Sequence, residues 1–166
     1  AGYVHIKSFG NKTPELFKKK IEYLLSNDIK SLIVDLRGNP GGYTSSAYEI
    51  AGCLIGSKTV TMMKDNKGNE SFYRGTSQDL LRDLPIIFIT DKNTASASEI
   101  LTSAVKDYDR AFVIGNKTYG KGVQQTSFIL LDGSFLKVTT HEFFSPLGNK
   151  INKIGVEPHF NTEKID

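Results

Sequence analysis

Leu84-Pro85-Ile86-Ile87-Phe88-Ile89-Thr90-Asp91-Lys92-Asn93-Thr94-Ala95-Ser96-Ala97-Ser98-Glu99-Ile100 passes from an apolar run into a segment of helical pattern. Residues 84–90 read as a buried strand, and residues 98–106 read as a helix. Three small residues, Ala95 to Ala97, sit at the bend between them. A small hydroxyl residue there can point its oxygen at solvent. The helix N-terminus supplies unpaired N–H groups and the positive end of a dipole. That geometry suits a nucleophile and equally describes a helix N-cap, and these residues by themselves leave both readings open.

Working outward, the chain opens β-α-β. Tyr3 to Phe9 alternates well enough for a strand. Thr13-Pro14 starts a helix, with Thr13 as the expected N-cap and proline at the first helical position. Phe17, Ile21, Leu24 and Leu25 form an amphipathic stripe on it. Ser31-Leu32-Ile33-Val34-Asp35-Leu36 is nearly continuous in apolar residues, as expected of a strand covered on both faces. The loop Arg37-Gly38-Asn39-Pro40-Gly41-Gly42 follows, then a helix over about 45–54. That loop is either a plain strand-to-helix turn or a place where glycine lets backbone N–H groups approach a ligand.

Residues 58–63 and 70–74 read as paired strands around the turn 65–69, and 75–83 as a polar surface connection. Ala111 to Ile114 is another buried strand. Val123 to Leu131 and Ser134 to Phe144 flank Asp132-Gly133, a hairpin signal. The alternation of strands and helices, closed by a hairpin, argues for one α/β domain over residues 1–166.

Two motifs fail on inspection. Gly115-Asn116-Lys117-Thr118-Tyr119-Gly120-Lys121 matches the start of a phosphate-binding P-loop. Gly122 stands where a magnesium-binding hydroxyl belongs, and residues 123–126 have strand character instead of helical character. Ser103-Ala104-Val105-Lys106 is an S-x-x-K without the K-T-G that should accompany it.

Composition narrows the classes. Hydrophobic residues make up 39% and charged residues 23% of the 166, with a net charge of +3. The lysines are scattered, which argues against nucleic acid. No apolar run approaches the ~20 residues of a membrane span. Cys53 and the histidines His5, His141 and His159 are dispersed and suggest no metal site, and no cofactor is called for.

Taken together in order, these segments resemble the carboxy-terminal processing (tail-specific) proteases, Ser/Lys-dyad peptidases of family S41. The similar segments are Asp35-Leu36-Arg37-Gly38-Asn39-Pro40-Gly41-Gly42, Thr94-Ala95-Ser96-Ala97-Ser98-Glu99, Asp107-Tyr108-Asp109-Arg110 and 117–125. Ser145-Pro146-Leu147-Gly148 and Gly155-Val156-Glu157-Pro158 resemble the closing signatures. Lys92 and Asn93 stand where glycines are usual. The resemblance implies a ClpP/crotonase-like core of repeated strand-strand-helix units. By position it implies Ser96 as nucleophile, Lys121 as general base, Gln125 as the residue that orients the lysine, and the Gly42 and Ala97 amides as oxyanion hole. It implies protein or peptide substrates with an accessible C-terminus, and an extracytoplasmic location. The chain begins Ala1-Gly2 and is expected to be a core that starts after a substrate-capturing PDZ domain.

The chemistry is consistent with that set. A serine hydroxyl needs a base, and neither loop holds a histidine. A lysine acts as base only when neutral, so a partly buried amine is expected at residue 121. Strand alternation puts Lys121, Val123 and Gln125 on one face. Two other classes remain: a non-catalytic peptide-binding module on the same fold, and acyl-CoA chemistry of the crotonase kind.

Overall fold

A computed structural model describes residues 1–76 and 78–164. In chain order the first elements are β1 (Gly2–His5), α1 (Thr13–Ser26), β2 (Leu32–Asp35), α2 (Thr44–Ile55), β3 (Thr59–Asp65) and β4 (Glu70–Arg74). Then come β5 (Ile86–Thr90), α3 (Ala97–Asp107), β6 (Phe112–Gly115), β7 (Val123–Ile129), β8 (Phe135–Phe144) and β9 (Phe160–Asn161).

The elements form two sheets. β1, β2, β5, β6 and β9 lie parallel in that order, and β4, β3, β8 and β7 form an antiparallel sheet. The architecture is α/β, as the alternating elements require. One face of the parallel sheet is buried through Leu32, Val34, Ile86, Phe88 and Val113. These side chains meet Ile21 of α1, Ile50 and Leu54 of α2, and Ile100, Leu101 and Ala104 of α3 in one core. Burying each large side chain there is worth about 1.5–3 kcal/mol.

Several expectations change. The opposite face of the parallel sheet is only partly covered by the described residues. Tyr3, Ile33, Ile87 and Phe112 stand in one row across four strands, with Tyr3 50%, Ile87 37% and Phe112 52% exposed. An apolar run cannot say which of its two faces is covered. β1 stops at His5, and Phe9 rejoins the fold as a separate parallel bridge to Gly42. Thr13 is the first residue of α1, not its cap; Lys12 precedes it, and the Thr13 hydroxyl turns back to the Gly10 amide and the Ser8 carbonyl.

The connection 75–83 is also more than a surface strap, although Ser77 lies outside the described residues. Leu81 is in the core. The Arg110 guanidinium donates to the carbonyls of Leu54 at 2.9 Å, of Leu84 at 3.1 Å, and of Leu81. One side chain thus ties the end of α2 to the entry of β5.

Candidate active site

The bend after β5 is fixed by hydrogen bonds from three directions. The Thr94 hydroxyl donates to the Leu36 carbonyl at 2.9 Å, and the Ala95 amide donates to the Asn39 carbonyl at 2.9 Å. Asp91 accepts from the amides of Gly38 and Asn93 at 3.0 Å each. Its carboxyl is pushed up by partial burial, but these amides and Thr94 outweigh that and hold it below the usual aspartate range. The Tyr119 amide donates to the Thr94 carbonyl at 3.0 Å, which docks the loop 116–122 on the bend.

Ser96 occupies the N-cap position of α3 with φ 58° and ψ −118°. A non-glycine residue in that region is strained, and it persists only where its surroundings fix it. The bland reading of Ser96 as a helix cap is therefore true of its position, but an ordinary cap sits at extended φ/ψ. The neighbouring serines are spent inside the fold. The buried Ser98 hydroxyl donates to the Asn39 carbonyl, and the buried Ser103 hydroxyl donates to the Ile100 carbonyl.

The glycine loop packs directly against this bend. A Cβ on Gly41 would lie 2.7 Å from Ser96 Cβ and 2.9 Å from the Ala97 amide nitrogen. The Phe9 amide donates to the Gly41 carbonyl, and the Tyr43 amide donates to the Phe9 carbonyl. That pairing turns the Gly42 amide to the other side of the loop. Among the described residues, neither the Gly42 nor the Ala97 amide has a protein acceptor. Gly42 has φ 143°, and any Cβ there would overlap the Phe9 carbonyl oxygen.

Gly42, Ser96, Lys121 and Gln125 line one cavity of about 270 Å³, with Gln124, Lys137 and Phe143 also in its wall. Ala97 follows Ser96 as the first residue of α3 and is fully buried. The described residues named in the cavity wall include no carboxylate and no histidine. His159 instead accepts from the Val113 amide through Nδ1 and stacks on Phe112. Larger hollows, of about 420 and 580 Å³, lie beside β1 and beside the connection 75–83. Neither contains Ser96 or Lys121.

One detail differs from expectation: Lys121 is exposed, not partly buried. Lys121, Val123 and Gln125 all line the cavity, as alternation along the strand predicts, and Gln124 meets it too, where the pairing of β7 with β8 shifts register.

Sequence reading missed Glu99. It is 0% exposed. Its Oε2 accepts from the Ser96 amide at 2.9 Å and the Lys121 amide at 2.8 Å. Its Oε1 accepts from the Thr118 hydroxyl at 2.5 Å and the Gly120 amide at 2.7 Å. The spacing Ser96-x-x-Glu99 is that of a capping box and was the available signal.

The chain is similar to known proteins along nearly its whole length. The profile of peptidase family S41 matches residues 1–162. The carboxy-terminal processing protease CtpB of Bacillus subtilis (strain 168) is 37% identical over 166 residues, which is 99% of this chain and 34% of that protein. A "Probable CtpA-like serine protease" of Staphylococcus aureus (strain COL) is 38% identical over 95% of this chain and 32% of its own length. Among solved structures, the photosystem II D1 C-terminal processing protease superposes with a TM-score of 0.88. It is 33% identical, and the match covers 96% of this chain and 41% of that one. The chain thus spans about a third of the length of the curated relatives it matches. A match of family profile, relatives and fold along almost the entire sequence establishes that the chain belongs to peptidase family S41.

Proposed function

We propose that residues 1–166 form one catalytic core domain of a serine endopeptidase that cuts proteins near their C-terminus. Ser96 is the nucleophile, Lys121 the general base and Gln125 the residue that orients the lysine. The Gly42 and Ala97 amides form the oxyanion hole. The observation that carries this reading is the convergence of Ser96, Lys121, Gln125 and Gly42 on one cavity from three separate stretches of chain.

In this mechanism Ser96 Oγ attacks the scissile carbonyl carbon while its proton passes to the neutral Lys121 amine. The resulting oxyanion is held by the two backbone N–H groups, each worth about 3–4 kcal/mol in comparable enzymes. Lys121 then returns the proton to the departing amine, which leaves an acyl-serine for water to hydrolyse. Lys121 is exposed in the free protein, so bound substrate is what would close over it. The free edge of β7 borders the cavity, and a substrate laid along it as an added strand would provide that cover.

The preference for C-termini draws support from the names of the matched relatives. It also suits a wall that, among the described residues, holds Lys121 and Lys137 and no carboxylate. Peptides ending in a free carboxylate should be cut faster than their amides. An extracytoplasmic location is part of the same proposal and rests on the family resemblance.

Unfolded casein is the direct test. Ser96→Ala should abolish its hydrolysis with the melting temperature unchanged. Retention of more than a few per cent of turnover by a folded Ser96→Ala variant would falsify the assignment. The exposed amine of Lys121 favours the alternative, a non-catalytic peptide-binding module. Casein binding without any cleavage by the wild type is the outcome that selects it.

A further inference from the structure

We propose that Glu99 is the positioning residue that sets the two members of the dyad relative to each other. This inference rests on the peptidase reading above. Ser96 sits on the bend after β5 and Lys121 on the loop before β7, so no secondary structure holds them in register. A single carboxylate oxygen, Glu99 Oε2, accepts the backbone amides of both. Its other oxygen takes Thr118 and Gly120, so the loop is gripped on the residues just before the lysine as well.

A carboxylate with no exposed surface carries a large desolvation cost unless charge-assisted hydrogen bonds offset it. Here the bonds come from the amides and one hydroxyl, and the positive end of α3 adds to them. A helix cap alone needs only the bond to the Ser96 amide. The arm that reaches Thr118, Gly120 and Lys121 does something else: it joins the nucleophile's backbone to the base's backbone. Glu99 does not line the cavity and touches no substrate. It acts on the rate through geometry, where misplacement by about 1 Å costs on the order of 100-fold.

Two variants separate reach from charge. Glu99→Asp keeps the charge and can still cap α3, but it is one methylene too short to span both segments. Glu99→Gln keeps the length and replaces one acceptor with a donor that faces N–H groups. Casein hydrolysis is measured at a temperature where each variant is folded by circular dichroism. Expected is a fall in kcat of about 100-fold with KM within threefold, since the cavity wall is untouched. The backbone amide of Lys121 in 15N-labelled protein should exchange its hydrogen faster in Glu99→Asp than in the wild type. Thr102→Val is the comparison: it removes a buried hydroxyl of α3 that bonds the Ser98 carbonyl and takes no part in the Glu99 arm, lowers the melting temperature, and should keep kcat within threefold.

A folded Glu99→Asp or Glu99→Gln variant whose kcat falls less than tenfold overturns the proposal. So does unchanged exchange at Lys121 in Glu99→Asp, or a Thr102→Val variant that loses as much kcat as Glu99→Asp at equal loss of melting temperature. If Glu99→Asp fails to fold, the kcat of Glu99→Gln decides alone. A wild type that leaves casein intact overturns the peptidase reading itself. An active wild type with equally active Glu99 variants overturns only the role of Glu99.

Discussion

At the scale of single residues, the proposed site rests on two side chains in unlike circumstances. Ser96 is held by its neighbours in a strained backbone conformation, φ 58° and ψ −118°. Lys121 has a fixed backbone, through its amide bond to Glu99, and an exposed side chain. Arginine has similar reach but stays charged throughout the usable range, so Lys121→Arg should be inactive. Casein hydrolysis by the variant checks this, and an active arginine variant contradicts the dyad outright.

At the scale of elements, the glycine loop between β2 and α2 is the part least tolerant of change. Gly42→Ala combines φ 143° with overlap on the Phe9 carbonyl, and it should cost about 3 kcal/mol or more. Gly38→Ala meets only the cost of its φ of 70°, with no atom within 4 Å, and should cost about 1–2 kcal/mol. Urea unfolding of the two variants checks this, and equal losses would show that the Phe9 contact does not matter. Much of this loop was legible beforehand, because glycine and proline spacing speaks directly about backbone. The strand–bend–helix around Ser96 was legible for the same local reason. What stayed hidden depends on distant chain. Gln124 joins Gln125 at the cavity where the pairing with β8 shifts register, and nothing in residues 123–129 announces that shift. The role of Glu99 depends on Thr118, Gly120 and Lys121, which follow it by about twenty positions. The partly covered row from Tyr3 to Phe112 is apolar like a buried one, so composition could not mark it as open.

At the scale of the whole molecule, the site lies where the two sheets meet. The parallel sheet carries Ser96 and the glycine loop, and the antiparallel sheet carries Lys121 and Gln125. The parallel sheet is in turn anchored at its edge by Asp35, which is 1% exposed. Asp35 Oδ2 accepts from the Tyr3 hydroxyl at 2.7 Å and from Arg37 Nη2 at 2.6 Å, and Oδ1 accepts from the Arg37 amide at 3.0 Å. One carboxylate therefore joins β1, β2 and the start of the glycine loop. Burial pushes its carboxyl up, but Arg37 and Tyr3 outweigh burial and hold it at about 2, below the ordinary 3.8. The folded state binds this proton more weakly than the unfolded chain does. The stabilisation is therefore complete above about pH 4 and is lost as pH falls through 2. It is on the order of 2 kcal/mol. Asp35→Asn should lose about that much at pH 7 and show a shallower decline between pH 4 and 2. The decline does not vanish, since Asp91 is also held low. Urea midpoints at pH 7, 4 and 2.5 provide the measurement. If wild type and Asp35→Asn fall in parallel over that range, the acid sensitivity of the fold arises elsewhere and Asp35 is not its anchor.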